Sequence, residues 1–182
     1  MMNFIYKLLL TFNSTSLILV VFYIKNKKPI PWYFISEKFN NIPNFVSYGL
    51  YFLMPILLTF FSLWLAKFLD NDSIELSKVV EVEQANNAFL PSYLGYFFVA
   101  LSITDTETLI FIFTILFVFT YFSQTLYFNP LFLLFKYQFY YITTSNKVKV
   151  FVITRKSLKK PSKIDLPKLK RVNDFTFFDK EE

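Results

Sequence analysis

Gln84-Ala85-Asn86-Asn87-Ala88-Phe89-Leu90-Pro91-Ser92-Tyr93-Leu94-Gly95-Tyr96-Phe97-Phe98-Val99-Ala100-Leu101-Ser102-Ile103-Thr104 carries no charged side chain. A helix needs roughly 17–25 predominantly apolar residues to cross the hydrocarbon core of a bilayer, so the run is long enough to span one. Three further uncharged runs flank it: Leu8–Ile24, Phe45–Ala66 and Leu109–Tyr127. In hydrocarbon, helices satisfy every backbone N–H and C=O within one segment. The short alternating segments of a membrane β-barrel are not visible in these runs. The expectation is an all-α membrane protein. Residues 1–135 form four transmembrane helices, with spans about 8–24, 45–66, 84–104 and 109–127. Residues 136–182 add a small cytoplasmic β-hairpin and a basic C-terminal tail.

Composition supports this reading. Hydrophobic residues make up 54% of the chain and only two are glycine, which argues against a soluble fold built on tight turns. There is no histidine and no cysteine. That excludes a Ser-His-Asp triad, a cysteine nucleophile, a disulfide and any imidazole or thiolate zinc site. Carboxylate and lysine catalysis stay open on composition, but the acids have structural readings at a capping box and on a solvated helix face, so the expectation is a protein that is not an enzyme and carries no cofactor or metal.

Charge sets the orientation. Twelve of the nineteen lysines and arginines follow Phe135. With four spans and both termini inside, fifteen basic residues face inward: Lys7, Lys67, Lys78 and those twelve. Only Lys25, Lys27, Lys28 and Lys38 face outward. The positive-inside rule therefore places both termini in the cytoplasm, in a multi-pass protein of the inner membrane. The first run resembles a signal peptide, but Lys25-Asn26-Lys27-Lys28 follows at once with no small-residue cleavage site, so it reads as an uncleaved span. Asn13-Ser14-Thr15-Ser16, near its middle, reads either as a polar helix-helix contact or, the favoured reading, as a helix whose hydroxyls bond back to its own carbonyls. Trp32 and Tyr33 suit headgroup depth, and Pro55 suits a static kink.

Several polar groups invite functional readings. Gln84, Asn87, Pro91, Gly95 and Ser102 fall on one helical stripe, which suits close helix packing. They are the expected seam of a homo-oligomer; pore lining is the lesser alternative. Asp70, Asp72, Glu75, Glu81 and Glu83 lack the glycine and spacing of a calcium loop, and the segment from Ile74 reads as the cytoplasmic start of the third helix. Thr104-Asp105-Thr106-Glu107 matches a capping box ahead of the fourth span. Thr120, Ser123, Gln124 and Thr125 gather near that span's inner end.

Beyond the spans, Tyr137–Thr143 and Lys147–Thr154 read as a hairpin turning at Thr144-Ser145-Asn146. A lone hairpin is marginal in water, so it should pack on a partner. Lys147, Lys149, Phe151, Arg155, Lys156, Phe175, Phe177 and Phe178 are the expected docking residues, with Phe175–Phe178 as unburied aromatic surface. Basic residues beside a span also attract anionic lipid. Direct nucleic-acid binding is the weaker reading.

The four-run layout, Phe89-Leu90-Pro91-Ser92-Tyr93-Leu94-Gly95-Tyr96-Phe97, and Asn129-Pro130 followed by a basic hairpin resemble the KwaA family, the membrane subunit of the bacterial Kiwa antiphage defence system. The resemblance implies a membrane oligomer, a tetramer, that senses infection at the inner membrane. It also implies a cytoplasmic DNA-binding partner, KwaB, that interferes with phage DNA replication and transcription. A holin-like or pore-forming protein and an accessory subunit of a transporter stand as alternatives.

Overall fold

The computed structural model describes residues 2–32, 42–72, 79–123, 129–161, 164, 166 and 168–179. Four helices form one layer: α1 (Met2–Lys25), α2 (Asn44–Leu65), α3 (Leu90–Ser102) and α4 (Thr106–Phe122). The other three all pack on α1. Accordingly α1 is buried almost all round through its middle, from Leu10 and Thr11 to Ile18.

Helix α2 is inverted relative to a helix of a water-soluble protein. It buries Ser47, Pro55, Thr59 and Ser62, which follow one another at helical spacing on a single stripe. It exposes Phe45, Phe52, Met54, Leu57, Phe60 and Trp64. Small and polar residues inside with large apolar residues outside is the arrangement of a helix packed in lipid.

The all-α, four-span expectation is corrected here. Among the described residues, only Asn3–Lys25 and Asn44–Phe68 are both long and apolar enough to cross a membrane. α3 has 13 residues and α4 has 17. At about 1.5 Å per residue they reach only about 20 and 26 Å, short of the roughly 30 Å core. The reason lies in Val79-Val80-Glu81-Val82-Glu83-Gln84, whose β-branched residues form a strand and not the start of a helix. Asn86–Phe89 then turn, and Pro91 occupies the first turn of α3, where its missing N–H costs nothing. Ile74 and Glu75 lie outside the described residues.

The second layer is a six-stranded mixed sheet. Its strands are β1 (Asn71–Asp72), β2 (Val79–Gln84), β3 (Gln138–Thr144), β4 (Lys149–Thr154), β5 (Leu169–Asn173) and β6 (Thr176–Asp179), in the order β1-β5-β6-β4-β3-β2. β3 and β4 pair antiparallel from Gln138–Thr154 to Thr143–Lys149. β6 runs parallel to β4 and antiparallel to β5. The hairpin is therefore the middle of a larger sheet and not an isolated unit. β1 and β2 precede residue 135, so a division into 1–135 and 136–182 does not follow the layers.

Both faces of the sheet are covered. Phe139, Phe151, Ile153, Val172 and Phe178 share a core with the helices through Phe89 and Phe132. Phe89 meets Phe139 at 4.7 Å between ring centres. On the other face, Tyr140, Ile142, Val150, Val152 and Phe177 lie under Leu158, Ile164 and Leu166. Two-sided burial explains the unbroken apolar run Val150–Ile153.

Candidate functional site

The helix layer encloses a polar node. The Asn13 amide is wholly buried and lies 2.8 Å from Thr59 Oγ1 on α2. In the amide orientation that satisfies every neighbour, Asn13 Nδ2 donates to the Pro55 carbonyl at 3.1 Å. Its Oδ1 then accepts from Thr59 Oγ1 at 2.8 Å and from Asn129 Nδ2 at 3.0 Å. Asn129 is itself wholly buried, and its Oδ1 accepts from Leu131 N at 3.0 Å, capping the 3-10 turn Pro130–Phe135 that leads into β3. One side chain of α1 thus joins the proline of α2 to the entry of the sheet.

The neighbouring hydroxyls turn inward on their own helix. Ser14 and Thr15 donate to the Thr11 carbonyl, and Ser16 donates to that of Asn13. α3 joins through Tyr93, whose hydroxyl donates to the Ser14 carbonyl at 3.1 Å. Tyr96 OH and Thr120 Oγ1 lie 3.1 Å apart, joining α3 to α4. Gln124 and Thr125 lie outside the described residues. The α2 stripe, the two tyrosines and Asn129 have no counterpart among the sequence-predicted sites. The signal for the α2 stripe was the helical spacing of Ser47, Pro55, Thr59 and Ser62 inside an otherwise apolar run.

The five seam candidates are not one helical stripe. Gln84 ends β2, opposite Tyr140. Asn87 lies in a turn. Pro91, Gly95 and Ser102 do share an outward face of α3, and a Cβ built on Gly95 meets nothing within 4 Å.

The docking candidates divide by exposure. Phe151, Phe177 and Phe178 are buried between the layers or beneath the covering segment, so they are not surface anchors. β6 buries the tail aromatics because it inserts between β4 and β5. Phe175 stays exposed in the β5–β6 turn. Lys147 holds the β3–β4 turn with φ of 61°. Lys149 donates to Glu83 Oε2 at 2.9 Å, and this bond raises its pKa. Its ammonium also lies 4.4 Å from the centre of the Tyr141 ring. The Arg155 guanidinium lies 4.5 Å from that of Tyr137. Lys156 approaches the buried Asp179 carboxylate at 3.6 Å, and Thr154 Oγ1 donates to the same oxygen at 2.7 Å.

At the far end of α1, Asp105 is the N-cap of α4, one position later than the capping-box reading placed it. Its Oδ1 accepts from Thr108 N at 2.8 Å and its Oδ2 from Thr108 Oγ1 at 2.9 Å. These bonds hold its carboxyl below the usual carboxylate range. Lys25 Nζ donates to the Ile103 carbonyl at 2.9 Å, and Lys28 Nζ to Thr106 Oγ1 at 3.0 Å. Trp32 Nε1 donates to Ser47 Oγ at 3.0 Å. Tyr33 and Lys38 lie outside the described residues. Among the described residues, no group of three acidic side chains is placed to hold a metal ion.

A family model described as anti-phage protein KwaA matches residues 6–178. The chain belongs to the KwaA family. The match runs from within α1 to within β6, so both layers fall inside it. KwaA membership makes this an antiphage defence protein, and its two long apolar helices fit association with a membrane. No curated protein and no solved structure matches the chain.

Proposed function

We propose that this KwaA-family protein is a non-enzymatic subunit that seats its helix layer in the bacterial inner membrane and presents its sheet layer to a soluble effector. The observation that carries this reading is the inversion of α2, with Ser47, Thr59 and Ser62 inside and a continuous apolar exterior. A water-soluble protein rarely leaves so large an apolar surface uncovered. Asn3, at the start of α1, donates to Asp70 just beyond α2, so α1 begins and α2 ends beside the sheet. A two-helix hairpin of this kind puts both termini and the basic sheet on one side, and the positive-inside rule makes that side the cytoplasm.

Docking then falls to the exposed part of the sheet layer: Lys147, Lys149, Arg155 and Phe175, with Lys156 at its margin. The partner is an acidic surface on a cytoplasmic DNA-binding protein of the KwaB kind, following the family resemblance. Self-association, as a tetramer, uses the outward face of α3 at Pro91 and Gly95, leaving its Ser102 end uncovered. The membrane sensor role follows the family resemblance. The decisive experiment is a topology test on the full chain. A reporter fused after Glu182 should be active as a cytoplasmic fusion and silent as a periplasmic one, and the protein should float with inner-membrane vesicles. The opposite reporter result overturns the orientation, and failure to float overturns the membrane reading.

A further inference from the structure

α3 and α4 both lie on α1, and near the far end of α1 the short link of residues 103–105 joins them. The space between them is an open wedge of about 410 Å³. Phe98 and Val99 of α3 and Ile112 of α4 line its apolar walls. Ser102, Thr104, Asp105 and Thr108 form its polar rim. The walls match an acyl chain. The rim carries a carboxylate; Lys25 and Lys28 do not line the wedge but bond to Ile103 and Thr106, on either side of Asp105 in the chain. Each ammonium has three donors and uses one in these bonds. Trp32 and Tyr51 lie at the same end, where Tyr51 OH donates to the Lys28 carbonyl at 3.1 Å. Lysine and aromatic rings together at one end of apolar helices mark headgroup depth.

We infer that the α3–α4 wedge is a binding site for a phospholipid with a primary-amine, zwitterionic headgroup, of the phosphatidylethanolamine class. This rests on the membrane reading above. One acyl chain enters between Phe98 and Ile112. The phosphate meets the free donors of Lys25 and Lys28, and the ammonium meets Asp105. The rim discriminates by charge and by donors. An anionic lipid without an amine brings Asp105 no cation. A choline headgroup carries the positive charge but has no N–H to give the carboxylate. Asp105 is ionised at neutral pH like any ordinary aspartate, and the Thr108 bonds lower its pKa further.

The test is native mass spectrometry of the full chain, extracted from vesicles holding phosphatidylethanolamine, phosphatidylcholine and phosphatidylglycerol with identical acyl chains. The protein should retain phosphatidylethanolamine roughly fivefold over either other lipid, the scale of one exposed ion pair with added hydrogen bonds. Asp105→Asn keeps the helix cap, since Asn is as good an N-cap as Asp, and should reduce that preference to about unity. Ile112→Trp fills the wedge and should abolish retention, while Phe111→Trp on the outer face of α4 should not. Equal retention of the three lipids, or a preference unchanged in Asp105→Asn, overturns the site while flotation still upholds the membrane reading. Failure to float overturns both.

Discussion

Asn13 of α1 and Thr59 of α2 meet at 2.8 Å with no solvent access to either residue. The pair fastens the central helix to the one segment of α2 that holds a proline. It also reaches Asn129, where the chain leaves the helices for the sheet. A buried polar group left without its partner costs more than the bond itself contributes.

Replacing either member should therefore destabilise the helix layer. Asn13→Ala should cost about 1–3 kcal/mol, because it strands the Asn129 amide, while the Thr59 hydroxyl keeps the Pro55 carbonyl at 2.8 Å as its acceptor. Thr59→Val should cost less. A double-mutant cycle in detergent, read by thermal unfolding, should give a coupling of about 0.6–1.7 kcal/mol, the range of interhelical bonds in membranes. Strict additivity would show that the two residues do not interact.

Gly95 offers a clean test of self-association. A Cβ there meets nothing within 4 Å, so a larger side chain is accommodated by the single chain. Gly95→Leu should leave the melting temperature of the subunit unchanged. If the outward face of α3 is the seam, the variant should show a smaller assembly in detergent by light scattering. An unchanged assembly mass excludes that face.

The C-terminal segment is structural before it is anything else. β6 bridges β4 and β5, and Phe178 is 1% exposed against Tyr137 at 5.0 Å between ring centres. Phe178→Ala should cost about 3–5 kcal/mol. Deleting residues 169–182 removes two strands and uncovers Phe151 and Ile153, so the shortened protein should be lost from membranes by aggregation or proteolysis. Normal abundance of that deletion would show that β5 and β6 are dispensable. The same reasoning bars removal of residues 156–182 as a simple docking tail.

The Asp105 cap should respond to acid. Its carboxyl is held low by the Thr108 N–H and then by the Thr108 hydroxyl. A group with a lowered folded-state pKa contributes stability above its unfolded value and loses it as pH falls through the folded one. Amide exchange at Thr108, corrected for the intrinsic effect of pH, should therefore accelerate once the pH drops below the ordinary Asp range. In Asp105→Asn the corrected rate should be flat.

Some of this architecture is legible in the residues and some is not. The runs Leu8–Ile24 and Phe45–Ala66 lie on α1 and α2 because length and hydropathy are local properties. The alternation in Lys147–Thr154 forms a strand opposite Gln138–Thr144 for the same reason. Gln84–Thr104 misleads because its average hydropathy hides a strand end, a turn and a proline-started helix in succession. Val79–Glu83 carries the β-branched signal, but its partner β3 lies more than fifty residues away. The parallel insertion of β6 is wholly non-local, so Phe177 and Phe178 look unburied until the sheet is assembled. At the polar node, Asn13 stands out in its run, whereas Thr59 and Asn129 become meaningful only when α2 and the 3-10 turn close on it.

The exposed basic face should capture the partner by charge. Lys147, Lys149, Arg155 and Phe175 lie outside the core, and the Lys149–Glu83 pair is more than half exposed on both sides. Such a pair adds at most about 1 kcal/mol to stability, so charge reversal there is a fair probe of binding. Lys147→Glu combined with Arg155→Glu should shift the melting temperature by no more than about 4 °C, the bound for two typical surface substitutions. It should weaken capture of the soluble effector by roughly tenfold or more, mainly through slower association. Raising the salt concentration should weaken the wild-type complex in the same direction and should affect the variant less. Phe175→Ala should add a further loss through faster dissociation, as expected for an aromatic contact at an interface. Unchanged capture by the double reversal, with normal membrane abundance, would remove this face from the docking assignment. The acidic outer edge of β2, with Glu81 and Glu83 exposed beside Val80, would then be the next surface to alter.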